Sequence, residues 1–232
     1  MIEASVMEAR ELLDRGSTLA QVGMIRDAAT LLEGIAAEGE TAGWVRYHQG
    51  YARYRLAALR QNEKKEAAEH LAAAVEHLRD SARLLPASGE PRALASTCYG
   101  MQIRYSPLRI PWLGERKTRA LAEAEYLEPE NPRVVLLRAL QLWTTPRYAG
   151  GDRAQALEGF GRAVECFETW SSTEPLGPRW GHAQALAYQG MALGETGEPE
   201  RALDALRGAL RIAPEYRWVK HVLLPNLGVV SG

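Results

Sequence analysis

Residues 182–214 read HAQALAYQGMALGETGEPERALDALRGALRIAP, and their order of small, large and proline residues decides the fold. The deciding positions are Gly190, Ala202, Leu206, Ala209 and Pro214. Small residues let two antiparallel helices approach each other closely, and a large residue fills the gap that remains between them. A proline ends the second helix because it has no amide hydrogen to continue the ladder. The stretch therefore predicts two helices packed as a hairpin.

The same pattern recurs elsewhere in the chain. Its other occurrences are Ala74, Leu78, Ser81 and Pro86, then in part Leu121, Ala124 and Pro129, and again Ala156, Phe160 and Ala163. Around the first of these, apolar residues recur at alternating steps of three and four, which places them on one face of a helix. Internal repetition of a helical pair is typical of solenoid proteins.

Capping residues set the expected helix starts. They are Asn62, Asn131 before Pro132, and the pairs Thr18 with Gln21 and Asp152 with Gln155, each of which can satisfy free backbone N–H groups. With the apolar periodicity, these starts predict helices over about 3–15, 18–38, 41–60, 63–85, 90–104, 115–127, 132–144, 153–169, 180–195, 199–212 and 215–226. Two connections are longer than the rest, 105–114 and 171–179. The prediction is an all-α protein.

These residues resemble the tetratricopeptide repeat (TPR) family. The resemblance implies antiparallel helical-hairpin repeats that form a right-handed α-solenoid in one domain over 1–232. The expected parts are a divergent N-terminal hairpin (1–40), repeats at 41–86, 90–129, 132–169 and 180–214, and a capping helix (215–227). The small residues at the first-helix crossings are Gly50, Gly100, Ala139 and Gly190, which are spaced more widely than the 34 residues of the family. The repeats are therefore stretched, and a HEAT-like array is the alternative.

The resemblance also implies a binding groove, because the first helix of each TPR pair lines the concave face. Counting from the crossing residues, the expected groove contacts are Trp44, Tyr47, Tyr51, Tyr54, Met101, Arg104, Arg133 and Trp143. An aromatic and apolar groove with arginines suits a helix or an extended peptide. The alternative is that the stripe from Trp44 to Tyr54 packs as core on the N-terminal helices.

A second candidate surface is the segment from Arg104 to Arg119. It holds five basic residues against a single acidic one, Glu115, and it also contains Tyr105 and Trp112. Such a segment can bind an acidic peptide or a phosphate. The alternative is a solvated linker whose arginine stems cover apolar surface.

Composition and motifs argue against several other classes of function. The net charge of −1 disfavours general nucleic-acid binding, and no apolar run approaches the length of a membrane span; Val134–Leu137, for example, is ended by Arg138. The two cysteines, Cys98 and Cys166, have no metal or redox spacing, so a reducing, cytoplasmic setting is expected. The five histidines form no Glu-x-x-His pair, and no serine lies in a nucleophile elbow. We therefore expect no metal, no cofactor and no enzymatic activity.

Three functions are open at this point. The leading hypothesis is a non-catalytic scaffold or adaptor that binds a protein or peptide partner in the groove. The second is a small-molecule-binding accessory subunit of a transport or sensory system, with a closed pocket near Trp143 and Tyr148. The third is a structural homo-oligomer that buries an apolar terminal face made by Trp218, Val222 and Leu223.

Overall fold

The computed structural model describes residues 2–172 and 174–230, without the side chains of 107 and 228–230. Its α-helices are α1 (Ile2–Leu19), α2 (Val22–Glu33), α3 (Gly39–Leu59), α4 (Lys64–Leu84), α5 (Glu90–Tyr105), α6 (Ile110–Leu127), α7 (Pro132–Thr144), α8 (Arg153–Thr169), α9 (His182–Glu195), α10 (Pro199–Ile212) and α11 (Leu224–Val230). Short 3₁₀ turns cover Pro107–Arg109 and Arg147–Ala149, and a π-helical segment, Val219–Leu223, leads into α11. The described residues contain no strand, and the all-α prediction is confirmed.

Consecutive helices pack as the hairpin repeat requires. The paired helices are α3 with α4, α5 with α6, α7 with α8, and α9 with α10. The predicted bounds of α7, α8 and α10 agree with the structure residue for residue. The fold is a TPR-like array of helical hairpins.

The helices form two compact units. Unit 1 comprises Met1–Ser17, Gln21–Pro129 and Ser172–Arg179, and unit 2 comprises Thr18–Ala20, Glu130–Ser171 and Trp180–Gly232. The expectation of a single domain over 1–232 stays a prediction.

The core of unit 1 lies between α3 and its neighbours α2, α4 and α5. Its apolar side chains include Leu56, Leu71, Leu78 and Leu94, which are almost fully removed from solvent. Gly50 of α3 faces Leu78 of α4, so closely that a Cβ at Gly50 would lie 2.6 Å from the Leu78 Cγ. The glycine is thus a notch that receives the leucine.

Unit 2 repeats this notch. A Cβ at Gly190 of α9 would lie 2.7 Å from both Cγ and Cδ2 of Leu206 in α10. Beyond α10, Tyr216 and Val219 are buried in one cluster with Ala187 and Leu206. Trp218, which the homo-oligomer hypothesis places on an exposed face, is half-buried, and its ring lies 5.0 Å from that of Tyr188.

Of the four helix starts predicted from capping residues, two are confirmed and two are wrong. The Asn131 side chain accepts a hydrogen bond from the Arg133 amide, and Asp152 accepts from the amides of residues 154 and 155, as expected. The Thr18 start is wrong because α1 continues to Leu19 and the chain turns at Ala20, whose φ is 53°. The Asn62 cap is also wrong, since Glu63 occupies the cap position of α4.

The start of α6 also differs from the prediction. The helix begins at Ile110 rather than at residue 115. Pro111 occupies its first turn, where a missing amide hydrogen costs nothing.

Candidate functional site

The aromatic stripe of α3 lies in the interior of unit 1. Trp44, Tyr47, Tyr51 and Tyr54 are all less than a tenth exposed. The Trp44 and Tyr47 rings meet edge-on at 5.8 Å, and the Tyr47 hydroxyl donates to Glu90 Oε2 at 3.2 Å. This burial is what the alternative interpretation expects, in which the stripe packs as core. Their contact with a partner stays a prediction.

The remaining predicted groove residues lie on α5 and α7. On α5 of unit 1, Met101 is half-buried and Arg104 is exposed. On α7 of unit 2, Arg133 is buried and donates to the Trp180 carbonyl at 3.1 Å. Trp143 is half-buried, with the Arg153 guanidinium 4.5 Å from its ring centroid. Arg133 therefore already has a partner within unit 2.

A segment of the chain itself is seated against the first helices of unit 1. We call residues 174–179, with the sequence EPLGPR, the strap. Arg10 of α1 donates from Nη1 to the carbonyls of Pro175 at 2.8 Å and Gly177 at 2.9 Å. His48 of α3 donates from Nε2 to the carbonyl of Leu176 at 2.7 Å. Two side chains thus hold three consecutive backbone carbonyls.

The strap is a tight turn with a buried centre. The Gly177 amide donates to the Glu174 carbonyl at 3.2 Å, which closes a four-residue turn. Proline at the second position and glycine at the fourth suit such a turn, because proline presets φ and glycine tolerates the exit. Leu176, Gly177 and Pro178 are buried. The turn therefore presents its carbonyls to unit 1 and inserts a leucine.

Buried aromatic residues hold the strap's histidine partner in place. His48 is itself buried, and its ring meets that of Tyr47 edge-on at 5.5 Å. Tyr47 is in turn fixed by Trp44 and by the hydrogen bond to Glu90. The stripe predicted from the sequence thus lies behind the contact, while His48, one residue along, makes it.

Arg10 sits at the edge of a charged cleft. The cleft has a volume of about 460 Å³ and is lined by Met7, Glu8, Arg10, Glu11, Asp14, Arg15 and Arg179. Burial lowers the pKa of Arg10 and the positive charge of Arg179 lowers it further, while Asp14 acts in the opposite direction. Charges of both signs line this cleft, which suits polar main chain better than an apolar ligand.

The second candidate surface, residues 104–119, is called the basic lobe. Leu108 is 99% exposed, and Ile110 and Trp112 are each 49% exposed. The Arg116 guanidinium lies 3.7 Å from the centroid of the Trp112 ring. Large apolar side chains and cations therefore alternate on one exposed segment.

Sequence reasoning missed Arg10, His48 and Leu176. The available signal was the long 171–179 connection, whose Pro-Leu-Gly-Pro sequence favours a turn. Nothing local to Arg10 or His48 in the sequence separates them from the other residues of α1 and α3.

Comparisons with solved structures support the fold. The HusA haemophore from Porphyromonas gingivalis is similar with a TM-score of 0.61 and 22% identity, over 81% of this chain and 94% of that one. A thermophilic TPR protein in Thermus thermophilus is similar with a TM-score of 0.56 and 18% identity, over 96% of this chain and 98% of that one. No protein-family model and no curated protein sequence matches the chain. The fold is TPR-like, and the resemblance inferred from the repeat residues is confirmed at the level of fold.

The described residues lack the features of two other kinds of site. No helix among them combines the length and apolarity needed to cross a bilayer. Within the same residues, no three His, Cys, Asp or Glu side chains are grouped so that they could hold a metal ion.

Proposed function

We propose that this chain is a non-catalytic protein-interaction scaffold, and that unit 1 binds a proline-leucine turn of a partner protein at the place now held by the strap. The proposal rests on one observation: the side chains of Arg10 and His48 donate hydrogen bonds to three consecutive carbonyls of a turn. Repeat arrays commonly use extended surfaces of this kind to bind other chains.

The contacts suit a peptide turn of modest affinity. Burying one leucine side chain contributes about 1.5–3 kcal/mol, and each hydrogen bond contributes about 1 kcal/mol. Ordering a short peptide offsets much of this gain. The isolated turn should therefore bind no more tightly than about 0.1 mM.

The residues predicted from the sequence have separate places in this proposal. Trp44 and Tyr47 form the buried support behind His48, and Tyr51 and Tyr54 are buried further along the same helix. Met101 and Arg104 of unit 1 are proposed to extend partner contact along α5. Arg133 and Trp143 belong to unit 2, and their contact with a partner also remains a prediction.

The strap itself provides the test. In a strapless variant, the six residues of the strap are replaced by a Gly-Ser segment of the same length. The probe is the peptide acetyl-Glu-Pro-Leu-Gly-Pro-Arg-amide, and binding is measured by isothermal titration calorimetry. We expect the strapless variant to bind the probe. In the wild type, the tethered strap competes at an effective concentration of about 1 mM or more, so the apparent dissociation constant rises by about tenfold for a 0.1 mM site.

Matched variants distinguish specific loss of the strap's binding place on unit 1 from a general effect of removing a surface charge. In the strapless background, Arg10→Leu removes the donor to two carbonyls, whereas Arg79→Leu removes an exposed arginine of α4, also in unit 1 and outside the cleft. The first change should abolish binding and the second should leave it unchanged. A probe in which leucine is replaced by glycine should not bind. The proposal is refuted if the strapless variant keeps a cooperative helical melt and does not bind the leucine probe.

The structure gives no comparable support for a small-molecule function. One structural neighbour is a haemophore, but the cleft beside Arg10 is lined mainly by charged side chains, which do not suit a large apolar ligand. Haem binding is therefore not part of the proposal.

A further inference from the structure

The basic lobe displays apolar side chains in a way that a solvated linker does not require. Leu108 is almost wholly exposed, and half of the surface of Ile110 and of Trp112 faces solvent. Clusters of exposed large apolar residues commonly mark interaction surfaces. Leu113, in the same segment, is buried. The segment is therefore packed against the protein, and the exposure of its other apolar side chains does not result from a lack of packing.

Polar contacts tie the basic lobe to the body of unit 1. The Tyr105 hydroxyl donates to the Gln61 carbonyl at 3.2 Å, and the Ser96 hydroxyl donates to the Lys117 carbonyl at 2.8 Å. The Arg109 amide closes the intervening turn on the Ser106 carbonyl at 2.9 Å. The apolar side chains are therefore presented from an anchored base, which lowers the entropic cost of binding.

Charge identifies the kind of partner that this surface fits. The lobe carries Arg104, Arg109, Arg116, Lys117 and Arg119 against the single acid Glu115. The guanidinium of Arg116 stacks on Trp112, so one planar cation is held beside an exposed ring. Carboxylates of a partner can pair with such arginines while an apolar side chain packs on the exposed ring and on Leu108.

The rest of α6 argues for a short segment rather than a membrane. Beyond the lobe the helix carries Glu123 and Glu125, with Glu128 directly after its end, and Glu123 is already paired with Arg119 at 2.9 Å. α6 has 18 residues and is about 27 Å long. A flat anionic bilayer along the Trp112 face of α6 would meet Glu123, which lies eleven residues (about three turns) further on, whereas a short peptide at the first turns avoids it.

We propose that the basic lobe is a second docking site of this protein, and that its ligand is an acidic peptide segment that carries leucine or an aromatic residue among its carboxylates. This site is separate from the strap's seat in residues and in ligand chemistry. Binding at one does not depend on binding at the other.

The test uses the full chain and a fluorescein-labelled peptide of sequence Glu-Asp-Leu-Glu-Phe-Asp-Glu, followed by fluorescence anisotropy. The wild type should bind it, and an increase in ionic strength from about 0.05 to 0.5 M should weaken binding because the site is exposed. Leu108→Asp and the double change Arg109→Glu with Arg116→Glu should each raise the dissociation constant about tenfold or more. Leu108 is so exposed that its replacement leaves the fold unchanged.

The matched control is Arg79→Glu with Arg83→Glu, which reverses two exposed cations near the C-terminal end of α4, the end opposite Gln61. This control should keep wild-type affinity, and a probe with glutamine and asparagine in place of its acids should not bind. Failure of the wild type to bind the acidic probe overturns the proposal, as does equal binding by the lobe variants. Binding to phosphatidylglycerol vesicles in place of the peptide overturns it too, in favour of a membrane-surface role. The strap peptide and its strapless host are unaffected by the lobe variants, so the two proposals can fail separately.

Discussion

Replacing Gly190 by alanine should destabilise the protein, even though alanine is the better helix former. The new Cβ would lie 2.7 Å from Cγ and Cδ2 of Leu206 and 3.1 Å from the Ala202 carbonyl oxygen. Carbon atoms normally pack at about 3.5–4.0 Å, so α9 and α10 must separate or Leu206 must leave its rotamer. Because Leu206 is buried, neither adjustment is free.

The magnitude follows from two opposing terms. Overpacking a core position costs about 1–3 kcal/mol, and glycine to alanine within a helix gains about 1 kcal/mol. The net loss in free energy of unfolding is therefore about 0–2 kcal/mol. Gly114, inside α6, offers a contrast, because a Cβ added there would meet no neighbouring atom within 4 Å. Gly114→Ala should accordingly stabilise the protein by about 0.5–1 kcal/mol.

Urea denaturation followed by far-ultraviolet circular dichroism measures both changes. A difference of about 0.5–3 kcal/mol between the two variants is expected. Leu206→Ala alone should cost about 2–5 kcal/mol, and combining it with Gly190→Ala should cost less than the sum, because the new methyl group enters the space that the leucine leaves. The notch interpretation is wrong if Gly190→Ala stabilises the protein as much as Gly114→Ala does, or if the double variant is simply additive.

Three further predictions concern single residues. Asn131→Ala should cost about 1 kcal/mol by removing the α7 cap, whereas Asn62→Ala should change the free energy of unfolding by less than about 0.5 kcal/mol; chemical denaturation compares them. Burial raises the pKa of the Cys98 thiol well above its usual range. A thiol reagent should therefore modify the half-buried Cys166 first and reach Cys98 only on unfolding. Mass spectrometry of a labelling time course measures the order. Burial lowers the pKa of the His182 imidazole below its ordinary value of about 6.5, so around that pH the unfolded chain binds more protons than the folded one. The stability that His182 contributes above pH 6.5 should therefore decline as the pH falls below it. Thermal melts at a series of pH values should show a weaker decline for His182→Gln.

The helical frame could be read from the sequence because its signals are local. The small and large residues around Leu206, the Asn131-Pro132 start and the Asp152 cap each act within one or two turns of a helix, and the structure agrees with them. Asn62 failed as a cap because capping depends on the backbone angles of one residue, which a sequence motif does not fix.

The candidate site could not be read in the same way. The His48–Leu176 hydrogen bond joins residues 128 apart, and no periodicity reports a contact of that range. The stripe pattern left Tyr47 either as a groove contact or as core, since a helical wheel does not say what covers a given face of a helix. Leu108 and Trp112 differ, because a basic segment with aromatic residues was visible in the sequence and only their exposure had to be added.

The attachment of the strap has a consequence for how freely its sequence can change. Arg10 and His48 reach carbonyl oxygens, which every amino acid carries, so their three hydrogen bonds read the spacing of peptide units rather than the identity of side chains. Substitutions at positions 175 and 177 that preserve the turn keep all three acceptors. Deleting or inserting one residue shifts every acceptor out of register at once. Chain length, more than composition, is what this connection must keep constant.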